Sequence, residues 1–221
     1  MEALKNIETN DKEEKACLGF LTLDKTKWDV KEKNDEYKLS YANIQMLNPL
    51  TGSPEEKLCF CLEITLKKPV ETVFNCLNDY NIRKTFDSLY ADGKLISEKK
   101  ENPEIYEYYL LLKMGFVFSN RDFVIRRKSW KDYKGNKGHY LIHIASINHA
   151  DYPEKQDPVR GVFLNRAAYL IPGKNEQETI MTLCNSIDMK IINVGSFMAV
   201  GKGADGIKKW IGKLKEALNK Y

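Results

Sequence analysis

Arg83 and Asp87 lie four residues apart in Asn78 to Tyr90, a segment whose Tyr80, Ile82, Phe86 and Leu89 recur at helical spacing. On a helix that separation sets a guanidinium beside a carboxylate, and a solvated surface pair of this kind contributes a few tenths of a kcal/mol. His139 and His143 are also four apart, but on a strand pattern, where the same spacing leaves them about 13 Å apart and unable to share a zinc ion. Gly201-Lys202-Gly203 lacks the full phosphate-loop spacing and its strand-to-helix setting. Lys113, Arg121, Arg126, Arg127 and Lys128 form a basic cluster, yet strand alternation divides them between two faces, which argues against a nucleic-acid surface. No Ser/His/Asp or Cys/His pair has a spacing that suggests cooperation, although triads assemble in space rather than in sequence.

These residues hang on a regular succession of elements. Residues 3 to 23 suit one or two helical segments with a solvated face. Strand patterns follow over Trp28 to Val30, Tyr37 to Ile44 and Leu58 to Leu66, and Pro69 opens a helix with Val70, Val73, Phe74 and Leu77 on one face. After the Arg83 segment come strand patterns over Lys94 to Glu98, Ile105 to Met114, Phe123 to Trp130, His139 to Ile147, Gly161 to Ile171 and Thr179 to Met189. About nine strands in a meander are too many to stay flat, so the sheet should curl. In the last segment Ile207, Trp210, Ile211, Leu214, Ala217, Leu218 and Tyr221 share one helix face. Gly201, Gly203 and Gly206 predict a break or hinge before it. Between Tyr106 to Leu112 and Phe123 to Lys128 lies Met114-Gly115-Phe116-Val117-Phe118, a turn with an oily tip where polar turn residues would be usual.

The chain's 221 residues, 43% of them hydrophobic, are enough to bury a sizeable core. Its formal charge is a modest +4, and residues 201 to 221 hold six lysines against only Asp205 and Glu216. Five scattered cysteines without C-x-x-C spacing read as reduced core thiols. With no signal-like apolar start and no run long enough to span a bilayer, the expectation is a soluble cytoplasmic protein.

Two stretches carry a family resemblance. Ser119-Asn120-Arg121-Asp122-Phe123-Val124 is similar to the S-N-R-D-[FY]-V run of START domains, the steroidogenic-acute-regulatory-related lipid-transfer family. Arg83-Lys84-Thr85-Phe86-Asp87 resembles that family's R-x-x-W-D, with Phe86 replacing Trp. The order of elements agrees from about Trp28 to Tyr221. The resemblance implies an α+β helix-grip fold: a START domain over 25–221, preceded by a helical segment at 1–24 packed on it. It also implies an internal lipid tunnel between curled sheet and C-terminal helix, with no cofactor, metal or covalent chemistry.

The same resemblance suggests roles for individual residues. Arg83 and Asp87 align with the headgroup region of the phosphatidylcholine-transfer branch, whose choline cage is poorly matched: its aromatic positions read Leu110, Phe123 and Ala168, with Tyr106 and Tyr108 as substitutes on the Leu110 face. Arg127 matches the arginine of the sterol-binding branch, but the acidic partner position reads Tyr108, so a phospholipid phosphate suits Arg127 better than a sterol; the alternative for Arg127 is a structural salt bridge. Leu110, Leu112, Phe123, Ile125, Ala168, Trp210, Ile211 and Leu214 are expected to line the tunnel. Met114, Phe116, Val117 and Phe118, with the C-terminal helix, are expected to dock transiently on membranes. The implied protein is a monomeric, non-catalytic carrier of one glycerophospholipid, with no nucleic-acid partner. Two rivals are a lipid-gated regulatory module acting on a protein partner and a helix-grip hydrolase.

Overall fold

A computed structural model describes residues 4, 5, 7–114, 119–191 and 196–221, with the side chains of α4 described from Val200 onward. Helix α1 (Lys12–Leu21) starts at Asp11, whose carboxylate accepts from the backbone N–H groups of Glu13 and Glu14. Strands β1 (Asp29–Lys33), β2 (Tyr37–Leu47) and β3 (Pro54–Leu66) precede α2 (Val70–Asn78) and α3 (Tyr80–Phe86). Then come β4 (Lys94–Lys99), β5 (Glu104–Leu112), β6 (Arg121–Trp130), β7 (Tyr140–Ser146), β8 (Val159–Arg160), β9 (Val162–Pro172), β10 (Thr179–Asp188) and α4 (Ser196–Leu218).

The strands form one sheet in the order β1-β2-β3-β10-β9-β7-β6-β5-β4. It curls without closing into a barrel. The edge strands β1 and β4 are rich in lysine and glutamate, which discourages further pairing. β8 was not anticipated as a separate strand. It pairs parallel with Arg121 and Asp122, at the end of β6 that β7 does not reach. The chain can pass there because residue 161 is glycine: a Cβ would meet the Phe123 ring at 2.3 Å.

Alternation along the strands separates two cores. On the concave face Leu62, Leu110, Ile125, Phe163, Ala168 and Leu183 pack against α2, α3 and α4. On the convex face Cys17, Leu18, Phe20 and Leu21 of α1 cover Leu141, Ala167, Tyr169 and Cys184. All five cysteines are free and buried.

The predicted break in the last helix does not occur. α4 runs unbroken through Gly201, Gly203 and Gly206, because packing overrides the weak helix propensity of glycine. At Gly203 the missing side chain is what lets the helix sit down on β3: a Cβ would lie 2.4 Å from the Phe60 ring. Ala204, Ile211, Leu214, Ala217 and Leu218 point into the curl. The apolar face of α4 is therefore turned to the sheet, and the face left to solvent carries Lys202, Lys209 and Lys213. Side chains of α2, α3 and α4 pack against the concave face where the resemblance places a tunnel, and one polar band crosses that face.

Candidate functional site

That band follows from strand register. Tyr106 of β5 pairs with Arg127 of β6, Arg127 with Ile144 of β7, Ile144 with Arg166 of β9, Arg166 with Asn185 of β10, and Asn185 with Phe60 of β3. Cross-strand partners share a face, so one transverse row on the concave wall carries two arginines. Arg127 is completely buried and Arg166 is 9% exposed.

The two differ in how they are satisfied. Nε of Arg166 donates to Oδ1 of Asn185 at 3.0 Å, while its Nη1 is buried without a hydrogen-bond partner. Among the described residues Arg127 has no acceptor for Nε, Nη1 or Nη2. It is held by ring faces instead: its guanidinium carbon lies 4.5 Å from the Tyr106 centroid and 5.2 Å from that of Tyr108. Burial lowers the pKa of both arginines, and neighbouring Arg83 pushes in the same direction. Guanidinium nonetheless stays protonated in proteins. The hydroxyls of Tyr90 and Tyr108 are also buried without partners, and burial holds the Tyr108 phenol well above its ordinary range.

Helix α3 supplies the third cation. Asp79 caps the helix by accepting from the N–H groups of Asn81 and Ile82, which fixes its start. One turn on, Arg83 and Asp87 are each 3% exposed, so theirs is a buried ion pair and not a solvated one. Nε and Nη2 of Arg83 donate to Oδ2 of Asp87 at 3.2 Å, and Nη1 donates to the Leu77 carbonyl at 3.1 Å. Its guanidinium stacks 4.2 Å from the Tyr90 centroid. Burial works against the Arg83 charge, but Tyr90 and Asp87 outweigh it and raise its pKa. Asp87 also accepts from Nε1 of Trp210 at 3.3 Å, tying α4 to α3.

All the predicted tunnel-lining residues lie in or against the concave core: Leu110, Phe123, Ile125, Ala168, Ile211 and Leu214 are buried, and Leu112 and Trp210 are partly so. Of the predicted headgroup set, Arg83, Asp87, Arg127, Tyr106 and Tyr108 converge with Tyr80 and Tyr90 on one aromatic and cationic patch. Met114 is half-buried, its N–H donating to Oδ1 of Asn120 at 3.2 Å, whereas Phe116, Val117 and Phe118 lie outside the described residues. No carboxylate pairs with Arg127 among the described residues. Glu104, on the same face, is held by Lys131 at 2.7 Å and by Asn78 at 2.6 Å.

Arg166, Asn185 and Tyr90 escaped the sequence reading. The available signal was an arginine at the Ala168 and Leu170 parity of an otherwise apolar strand. The Ser119-to-Asp122 run also proves structural. Asp122 pairs with Arg160 at 2.8 and 3.0 Å, and Nε of Arg121 donates to the Met189 carbonyl at 2.6 Å, joining the start of β6 to the residues just after β10. His139 and His143 are not partners: Nδ1 of His139 is 2.6 Å from the Tyr169 hydroxyl, and His143 is buried on the convex side. The described residues contain no metal-ligand cluster.

An antiparallel sheet curled round a C-terminal helix, with arginines buried on its concave wall, defines a helix-grip protein with a charged interior. The START domain family matches residues 10–191, and the chain belongs to that family of lipid-binding and lipid-transfer domains. Mouse and human START domain-containing protein 10 are each 29% identical to it over 122 residues; the match spans 55% of this chain and 40% of theirs. Similar folds include human STARD10 (TM-score 0.76, 17% identity, covering 98% of this chain and 83% of that one). Human StAR-related lipid transfer protein 5 is also similar (TM-score 0.71, 15% identity, covering 90% and 89%). Among the described residues no helix is long and apolar enough to cross a membrane.

Proposed function

We propose that the protein binds one glycerophospholipid, phosphate toward Arg127 and acyl chains along the concave apolar core, and carries it between membranes without chemical change. The observation that carries this reading is Arg127, fully buried with every guanidinium nitrogen lacking an acceptor among the described residues. A buried unpaired cation costs several kcal/mol, which a phosphate removes by accepting charge-assisted, bidentate hydrogen bonds. Arg83 adds field strength more than hydrogen bonds, because Asp87 and Leu77 already hold its donors.

The apolar neighbours of the row suit the chains. Exposing some thirty methylenes at ~0.8 kcal/mol each costs on the order of 25 kcal/mol, so a carrier that keeps them covered removes most of the barrier to leaving a bilayer. For cargo to enter, α4 must part from the sheet, breaking the Trp210 to Asp87 hydrogen bond and unseating Gly203 from Phe60. In this reading membrane contact drives that step: the apolar side chains of the 114–118 sequence enter the headgroup layer while Lys202, Lys209 and Lys213 meet anionic lipid.

Transfer of a labelled phospholipid from donor to acceptor vesicles tests the proposal. The wild type should accelerate transfer in proportion to its concentration, and Arg127→Met should lose at least tenfold of that rate while remaining folded. Stoichiometric uptake without transfer would replace the carrier with a lipid-gated regulator, and an unaffected Arg127→Met would refute the phosphate assignment.

A further inference from the structure

Resting on the phospholipid reading, we infer that the preferred cargo has an acidic headgroup of net negative charge, not a zwitterionic choline or ethanolamine one, and that Arg166 sets this preference. The first ground is the buried charge. Around this patch, Arg83, Arg127 and Arg166 have one carboxylate neighbour among the described residues, Asp87, so these four side chains carry a net +2. Glu104 does not offset it, being already bound by Lys131 and Asn78. A zwitterionic headgroup brings no net charge to this wall, whereas an acidic one neutralises part or all of the excess.

The second ground is the rings. A headgroup ammonium needs a carboxylate or a free aromatic face. Asp87 is taken by Arg83 and Trp210. The guanidinium of Arg83 covers Tyr90, that of Arg127 covers Tyr106 and Tyr108, and Tyr80 stacks on Tyr108 at 5.4 Å. Tyr106 and Tyr108, the substitutes for the poorly matched cage positions, are occupied by the protein's own Arg127.

The third ground is placement. Arg127 and Arg166 stand in one row, separated only by Ile144 and hence about 10 Å apart at the backbone. Both retain buried donors without acceptors among the described residues, on a wall that curls inward. A phosphate at Arg127 leaves Arg166 for a second anionic oxygen: the further charge of a phosphomonoester or a headgroup carboxylate.

The test presents equal amounts of phosphatidylcholine and phosphatidate in the same vesicles, so that docking is common to both lipids, and identifies the protein-bound lipid by mass spectrometry. The wild type should be enriched at least tenfold in phosphatidate. Arg166→Gln should lose most of that enrichment while still taking up phospholipid, and Arg166→Lys should keep part of it; circular dichroism verifies that both fold. Phosphatidylcholine bound in proportion to its abundance, or unchanged selectivity in folded Arg166→Gln, would overturn the inference and leave the phospholipid reading standing. A protein that takes up neither lipid, yet is thermally stabilised by inorganic phosphate, would assign the arginines to a soluble anion and overturn both.

Discussion

Arg127 concentrates the tension between stability and binding in one side chain. Burial without an acceptor makes it a liability to the unloaded fold, so Arg127→Met should raise resistance to denaturant by about 1–4 kcal/mol while abolishing phospholipid uptake. Loss of stability in this variant would mean that the ring contacts to Tyr106 and Tyr108 outweigh the cost of burying the guanidinium. His143 makes a second prediction, on the opposite face of the sheet. Burial pushes its pKa down to about 4, with Lys128 acting in the same direction and Asp11 and Asn165 against it. Its unfolded-state pKa is near ~6.5, so the unfolded chain binds the extra proton first as pH falls. Stability is therefore full above about pH 6.5 and declines toward pH 4, by up to about 3 kcal/mol. The neighbouring carboxyls of Asp11 and Glu14, both lowered, contribute only at the acid end of that window. His143→Gln should flatten most of the loss between pH 6.5 and 5 in denaturant titrations. His139, also lowered by burial, keeps a residual slope, and an unchanged profile would contradict the assignment. At this scale the sequence revealed Arg83 and Asp87 through their spacing, but not their burial, since an i,i+4 pair looks the same on a surface or under one.

The seating of α4 is the corresponding question among elements. Gly203→Ala forces a methyl into the Phe60 ring and should destabilise the fold by about 1–3 kcal/mol, with Phe60→Leu in the same chain restoring much of it. Gly201→Ala has no neighbour within 4 Å to offend, so relief of glycine's helix cost should stabilise by about 0.5–1 kcal/mol. Thermal denaturation of the two variants should give shifts of opposite sign; parallel shifts would show that packing on β3 does not hold the helix. This contrast also explains why the predicted hinge was wrong. Glycine clusters look alike in sequence whether they break a helix or let it approach a sheet, and the Phe60 contact that decides between them spans over a hundred residues. Strands, by contrast, were readable to within a few residues because alternation is local; β8 was missed because two residues hold no period.

For the molecule as a whole, the helix-grip architecture was legible: strand count, element order and a final amphipathic helix suffice to define a curled sheet gripping that helix. The charged row was not, because Tyr106, Arg127, Arg166 and Asn185 meet only through the registers of separate strand pairs. The family match supplies lipid binding as a class, and the buried arginines give the reason to place a phosphate inside. The most direct measurement is native mass spectrometry of the purified protein, with the released ligand identified by lipid analysis. One phospholipid per chain is expected in the wild type and none in Arg127→Met. A wild-type protein that stays ligand-free after incubation with phospholipid vesicles, or an Arg127→Met variant that carries the same lipid at the same occupancy, would contradict it.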